Sequence, residues 1–333
     1  MMRKFFLTSL FAATALFLMG QPSENLKEAK WQRVSKTYGF LLGQEYSLNR
    51  IKKELPELKN DLLVAEMSFD LTFSKAREGV ENYLKEYAGS EEEFKKVDQE
   101  LRKELAKILG DQIYNFETAT VFIEDVKSRA KGNIPSPFLE TLLSFQYADN
   151  PAKEFISGFT TTFQTKGHPK AKNTDWQAKI PQSWLAEEGD RPNVIKRFKS
   201  DYGAGNQIMA LMVKEIPLPK GYRYSKQELN ELFTESEMKD LIPDGAKFIS
   251  FSKITIDGMP AGILEFEQTS ERIETKVKLR LAEFIFIDGN KMFFFQAGVG
   301  TTDLSEDLSI QMKKFLPLYK LVANSIVLNS RYN

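Results

Sequence analysis

The spacing of apolar residues changes midway along the chain, and this change constrains the fold more than any other feature. From about residue 26 to 163 the spacing is helical: Leu62, Phe69, Ala76 and Tyr83 recur at intervals of seven and form one stripe of a long helix. A second helix carries the stripe formed by Phe94, Val97, Leu101, Leu105 and Ile108. Ser90 with Glu93 predicts a capping box at its start. We therefore expect a bundle of antiparallel helices in this half.

Beyond residue 176 the pattern becomes strand-like. Apolar segments with β-branched and aromatic residues occur at 176–180, 194–199, 207–213, 247–256, 261–268, 276–287 and 291–298. Turn residues at 288–290 join the last two as a hairpin, and those at 203–206 join an earlier pair. Helices are expected at 226–241 and from about 305 to 326. The fold class is therefore α+β: an N-terminal helical bundle followed by a C-terminal antiparallel sheet packed with helices.

The first twenty residues have the layout of a secretory signal peptide. Two positive charges within Met1–Lys4 precede the apolar run FFLTSLFAATALFLMG. An uncleaved membrane anchor is the alternative, but a bilayer-spanning helix needs about 20 apolar residues, and this run is shorter. We expect cleavage, no stable membrane insertion afterwards, and a periplasmic or secreted protein.

These patterns divide the chain into four parts. We predict a signal peptide at 1–20, a helical domain at 21–163, a linker at 164–175 and an α+β domain at 176–333. The linker is polar, basic and poor in large apolar groups.

Composition excludes several kinds of chemistry. The chain contains no cysteine, which removes disulfides, thiolate metal sites and cysteine nucleophiles. His168 is its one histidine, so a zinc site lacks ligands, and no metal or cofactor is expected. The 46 basic and 46 acidic residues balance, which gives no indication of nucleic-acid binding.

No residue is predicted to be catalytic. His168 lies in the linker, and Ser183 lacks the GxSxG context of an activated serine. The glycines at 202–206 and 298–303 lack the pattern of a nucleotide site. Paired carboxylates are plentiful, but their use in hydrolysis requires a cleft that a sequence does not show.

Six residues are candidates for binding. Lys166, His168 and Lys170 alternate along the linker and could hold an anion, or form a solvated surface. Trp176, Trp184 and Phe294 could line an apolar groove, or fill the core. Phe294 must point away from Phe293 and Phe295, so at least one face of the sheet requires a cover; helices could cover both faces, or one face could form an apolar groove or an interface.

The second half resembles the fold shared by the PsbP photosystem proteins and the Ran-binding Mog proteins. The resemblance lies in IPQSW at 180–184, IDGMPAG at 256–262, IFIDGNKMFFFQA at 285–297 and FLPLYKLVANSIVL at 315–328. It covers about half of the chain, and its motifs are structural rather than catalytic. It implies a module that binds or stabilises a partner.

A second resemblance concerns YGFLLGQ at 38–44, which is similar to the helical dimerisation segment that precedes FKBP-type isomerase domains. The isomerase domain itself is absent from the sequence, so no activity is implied. The resemblance implies self-association, and therefore a homodimer, through the helical half.

Together these observations predict an exported, non-catalytic binding or assembly module of the bacterial envelope. Its ligand or protein partner is not indicated. The alternative is a carboxylate-dependent hydrolase with its site in the cleft between the two domains.

Overall fold

The computed structural model describes residues 25–110, 114–219, 221–272 and 275–332. The predicted signal peptide at 1–20 lies outside these residues. The chain forms two compact units, divided between Ala148 and Asp149. The predicted α+β class is confirmed, since the first unit is helical and the second contains antiparallel sheets with helices.

The first unit contains five described helices and a short 3-10 turn at Pro56–Leu58. The helices are α1 (Asn25–Glu54), α2 (Lys59–Ala88), α3 (Glu91–Leu109), α4 (Phe116–Ala130) and α5 (Phe138–Gln146). Gly89, with a φ of 81°, ends α2 in the left-handed conformation that glycine adopts most readily. Ser90 then caps α3: its Oγ accepts a hydrogen bond from Glu93 N at 3.2 Å. The Glu93 carboxylate pairs with Lys96 rather than completing the predicted box.

The apolar stripe predicted on α2 forms part of the core of the first unit. Leu62, Phe69 and Ala76 are buried, whereas Tyr83 at the end of the stripe is half-buried. The stripe of α3 packs with α1 in the same manner, through Phe94, Leu101 and Leu105. Burial of such faces by tertiary packing is the main source of helix stability in proteins.

Within the described residues, the second unit contains ten strands, four α-helices and three short 3-10 turns. The elements are α6 (Ala152–Ile156), β1 (Thr160–Gln164), β2 (Trp176–Pro181), β3 (Leu185–Glu188), β4 (Val194–Lys199), β5 (Gln207–Glu215), α7 (Lys226–Leu232), α8 (Glu235–Lys239), β6 (Lys247–Ile256), β7 (Met259–Arg272), β8 (Thr275–Asp288), β9 (Lys291–Thr301), α9 (Ser309–Asn324) and β10 (Val327–Leu328).

The strands form two sheets whose described pairs are antiparallel. The larger sheet has the order β3-β4-β5-β9-β8-β7-β6, and the smaller one has the order β1-β2-β10. The predicted hairpin at 288–290 joins β8 to β9, with Asp288 opposite Lys291. In the smaller sheet β2 is central, because Val327 and Leu328 near the chain end pair with Gln177 and Trp176.

Both faces of the larger sheet are covered. Phe293 and Phe295 belong to the core that includes β2 and α9, whereas Phe294 belongs to a second core with Leu229, Phe233 and Met238 of the segment α7–α8. The predicted alternation of the three phenylalanines is therefore confirmed, and each face has its own cover.

The segment predicted as a linker at 164–175 lies inside the second unit, and the division of the chain falls earlier, after Ala148. Its polar composition resembles that of a linker, but its backbone is fixed to its neighbours. Thr165 N donates to Trp176 O at 2.9 Å, and Trp176 N donates to Thr165 Oγ1 at 3.0 Å. Thr165 Oγ1 also donates to Thr174 O at 3.1 Å, which closes the segment into a loop.

We predict that Phe284→Ala destabilises the second unit by about 3–5 kcal/mol, because Phe284 is fully buried and its loss leaves a cavity. The matched control is Ile310→Ala in α9, where 74% of the residue is exposed and the change should stay within about 0.5 kcal/mol. Urea unfolding of both variants measures the difference. Equal losses of stability in the two variants would contradict the assignment of Phe284 to the core.

Candidate functional site

The tryptophans predicted to bind a ligand are core residues. Trp176 has no exposed surface, and its ring lies edge-to-face against Phe293 at 5.5 Å and Phe286 at 6.2 Å. Trp184 is 6% exposed and packs edge-to-face against Phe315 and Tyr319, both at 6.4 Å. Both rings stabilise the unit by aromatic packing. Neither is available to a ligand at the surface.

Phe294 is also a core residue: it is 5% exposed and packs beneath α7 and α8. The ammonium group of Lys214 lies 5.1 Å from its ring centroid, which is within the range of a cation–π contact. The three aromatic candidates are therefore divided between two cores. They do not line a common groove.

The basic candidates do not converge on an anion site. His168 Nε2 lies 3.1 Å from a carboxylate oxygen of Glu188, and His168 Nδ1 accepts a hydrogen bond from Lys170 N at 3.2 Å. The Lys170 ammonium donates to the carbonyl oxygen of Gly189. Lys166 is exposed. The structure thus brings His168 and Lys170 together, but these contacts fix the loop rather than leaving both groups free for a ligand.

A buried carboxyl group of the second unit contacts Ser183, the serine considered above as a nucleophile. Glu154 is 2% exposed, and its carboxylate accepts hydrogen bonds from Ser183 N at 2.8 Å and Ser183 Oγ at 2.6 Å. Burial raises the pKa of Glu154 to about 7, although the hydrogen bonds from Ser183 and from the backbone of Gln182 act in the opposite direction. A pKa in this range suits general acid–base chemistry. Here, however, both Glu154 and Ser183 are buried, and their contact joins α6 to the turn after β2.

Glu283 of β8 is a second carboxyl group held by a neutral donor. Gln296 Nε2 donates to it at 2.5 Å, and burial raises the pKa of the carboxyl group. Both carboxyl groups therefore have local structural partners.

The described residues contain no group of three or more histidine, cysteine, aspartate or glutamate side chains that could hold a metal ion. Among the helices of the described chain, none is both long and apolar enough to cross a membrane.

The most distinctive surface feature lies on α2 in the first unit. Four aliphatic residues in the first half of this helix are exposed: Leu63 by 51%, Val64 by 54%, Met67 by 55% and Leu71 by 81%. We call these four residues the α2 stripe. Val64, Met67 and Leu71 follow Leu63 by one, four and eight positions, and this spacing places all four along one side of the helix. The heptad positions of the same helix, such as Leu62 and Phe69, are buried.

Sequence reasoning missed the α2 stripe because it followed the heptad positions alone. The signal was present in LLVAEMSFDLTF at 62–73, where apolar residues occur on both sides of the helical repeat. A helix that is apolar on both sides is typically covered on both sides.

Comparisons with known proteins indicate a partial structural likeness. No family model matches the chain, and no curated protein matches it. Among solved structures, it is similar to the solution structure of the cyanobacterial PsbP protein CyanoP from Synechocystis sp., at 12% identity and a TM-score of 0.30. The match covers 51% of this chain and 92% of that one. A likeness of this extent carries no argument about function.

We predict that the stability of the second unit falls as the pH rises from about 4.5 to 7. The folded-state pKa of Glu154, about 7, lies above the ordinary value of 4.5, so the folded state retains the proton in this range. The contribution of protonated Glu154 to the free energy of unfolding is complete below pH 4.5 and is lost as the pH rises through 7. A shift of this size corresponds to roughly 3 kcal/mol. Glu154→Gln should remove this dependence.

The measurement is denaturant unfolding followed by the fluorescence of Trp176 and Trp184, in a Trp31→Phe background that removes the signal of the first unit. Glu237→Gln, at an exposed position of α8, is the matched control and should keep the wild-type profile. Identical pH profiles for wild type and Glu154→Gln would contradict the assignment.

Proposed function

We propose that the protein is a non-catalytic assembly module of the bacterial envelope, and that its helical unit pairs with a second copy of the chain through the α2 stripe. The exposure of Leu63, Val64, Met67 and Leu71 is the observation that carries this proposal. The leader-like sequence at 1–20 supports the envelope location.

The composition of α2 supports an interface on its exposed side. The buried side, which includes Leu62, Ala65 and Phe69, already supplies the contacts that hold the helix in its unit. The apolar residues on the opposite side are therefore not needed for the fold of a single chain. Burying these residues against an apolar partner lowers the free energy by about 25 cal/mol for each Å² of apolar surface removed from water.

A second copy is the partner that this surface favours. Apolar residues spaced by three or four positions are typical of seams between paired helices. Most soluble oligomers are symmetric homo-oligomers, in which one patch contacts its own copy. The resemblance of YGFLLGQ at 38–44 to a helical dimerisation segment lies in the same unit.

The contacts of the second unit support a non-catalytic role. Its aromatic candidates are packed in two cores, and Glu154 and Ser183 are engaged with each other. We propose that this unit serves as a stable scaffold attached to the pairing unit.

The double variant Met67→Glu, Leu71→Glu tests the proposal. Four charges at the seam of a dimer oppose burial, so the dimer dissociation constant should rise at least about 100-fold. Light scattering after size exclusion at micromolar protein should give twice the chain mass for wild type and the single mass for the variant.

The matched control is Ile310→Glu, which places a glutamate at an exposed apolar position of a helix in the second unit. It should leave the mass of the dimer unchanged. A monomeric wild type, or a dimer that survives the double variant, would overturn pairing through the α2 stripe.

A further inference from the structure

A cleft inside the first unit has the features of a ligand site. It lies between the C-terminal half of α1 and helix α3, and its volume is about 340 Å³. This volume is within the range of small-molecule sites in proteins. Its apolar lining is provided by Leu42 and Tyr46 of α1 and Leu105 of α3. Leu42 and Leu105 are each 3% exposed, so they form a fixed floor rather than mobile surface side chains.

The α1 side of the cleft is built from one face of the helix. Its lining residues Leu42, Tyr46, Asn49 and Lys53 follow at intervals of three or four. Leu42 and Tyr46 come first in this row, and Lys53 lies in the last turn of α1. The row therefore leads from an apolar floor to a cationic end.

Two of the three cations that line the cleft are engaged by groups of the protein. Arg50 donates through Nη1 to Leu109 O at 2.6 Å, and its Nε and Nη2 donate to Glu54 at 2.9 and 2.7 Å. Arg102 donates through Nε to Asp98 at 2.9 Å and through Nη1 to Glu45 at 3.0 Å. These bonds fix both guanidinium groups at the cleft.

The carboxylate that lines the cleft is also neutralised. Glu45 accepts from Arg102 through one oxygen and from Arg77 Nη1, at 2.9 Å, through the other. In contrast, the ammonium group of Lys53 makes no hydrogen bond or ion pair with any residue that the structure describes. Nη2 of Arg102 likewise has no hydrogen-bond partner within the described chain. The cleft therefore offers two cationic donors, Lys53 and Nη2 of Arg102, whereas its carboxylate is already bound.

We propose that this cleft binds a small amphiphilic anion, namely a carboxylate or sulfonate attached to an aromatic or aliphatic body. The body packs on Leu42, Tyr46 and Leu105, and the anionic group is held by Lys53 and by Nη2 of Arg102. A charge-assisted hydrogen bond to an ammonium or guanidinium group is stronger than one between neutral groups. The site is separate from the α2 stripe, so the proposal is independent of pairing between copies.

Calorimetric titration of the full-length chain with 1-naphthaleneacetate tests the proposal. We expect one site per chain with a dissociation constant on the order of 1 mM or tighter. Lys53→Glu should weaken binding at least tenfold, and Lys53→Arg should restore it to within about threefold. Asn49→Trp, which fills the cleft from its rim, should abolish binding. The neutral analogue 1-naphthaleneethanol should bind at least tenfold more weakly than the anion.

The matched control is Lys52→Glu, which makes the same charge change one position away, outside the cleft lining. It should stay within about twofold of wild type, and so should the pairing variant Met67→Glu, Leu71→Glu. Equal weakening by Lys52→Glu and Lys53→Glu would show attraction by overall charge alone. That result would overturn the site, as would the absence of binding to wild type or unchanged binding to Asn49→Trp. Circular dichroism of each variant confirms that the helices are intact.

Discussion

The second unit depends on the pleat of β9. Successive side chains of a strand point to opposite faces, so Phe293 and Phe295 lie on one face of the sheet and Phe294 on the other. A sheet with two apolar faces is stable only when both are covered. The chain supplies α9 and the smaller sheet for one face, and α7 with α8 for the other. This requirement explains why the three phenylalanines of β9 are internal.

Much of this architecture could be predicted from sequence because it rests on local patterns. Period-seven apolar residues indicated α2 and α3, and the turn at 288–290 indicated the β8–β9 hairpin. Helix ends were less predictable. The helix predicted at 226–241 is divided at Thr234, whose Oγ1 accepts from Glu237 N and begins α8. The terminal helix, expected from about residue 305, begins at Ser309, and in the turn before it Asp303 accepts a hydrogen bond from Ser305 N.

Candidate sites were less predictable than the fold because exposure depends on distant segments. Trp176 could be a surface residue or a core residue until β1, β10 and the larger sheet are placed around it. The same limit applies to charge. Lys52 and Lys53 are adjacent and chemically identical, yet a rotation of about 100° along α1 places Lys53 at the cleft and Lys52 outside it. The opposite wall of the cleft is formed by Arg102 and Leu105 of α3, which begins some forty residues later along the chain.

The position of β2 in the smaller sheet has a consequence for the order of events in the cell. β2 lies between β1, which precedes it closely in sequence, and β10, which is formed by Val327 and Leu328. Leu328 N also donates to the Asp257 carboxylate at 3.0 Å, so the last strand is fixed to the turn between β6 and β7. The sheet is incomplete until these final residues are present. The smaller sheet can therefore close only after the chain has been synthesised as far as Leu328, more than 140 residues beyond the end of β2.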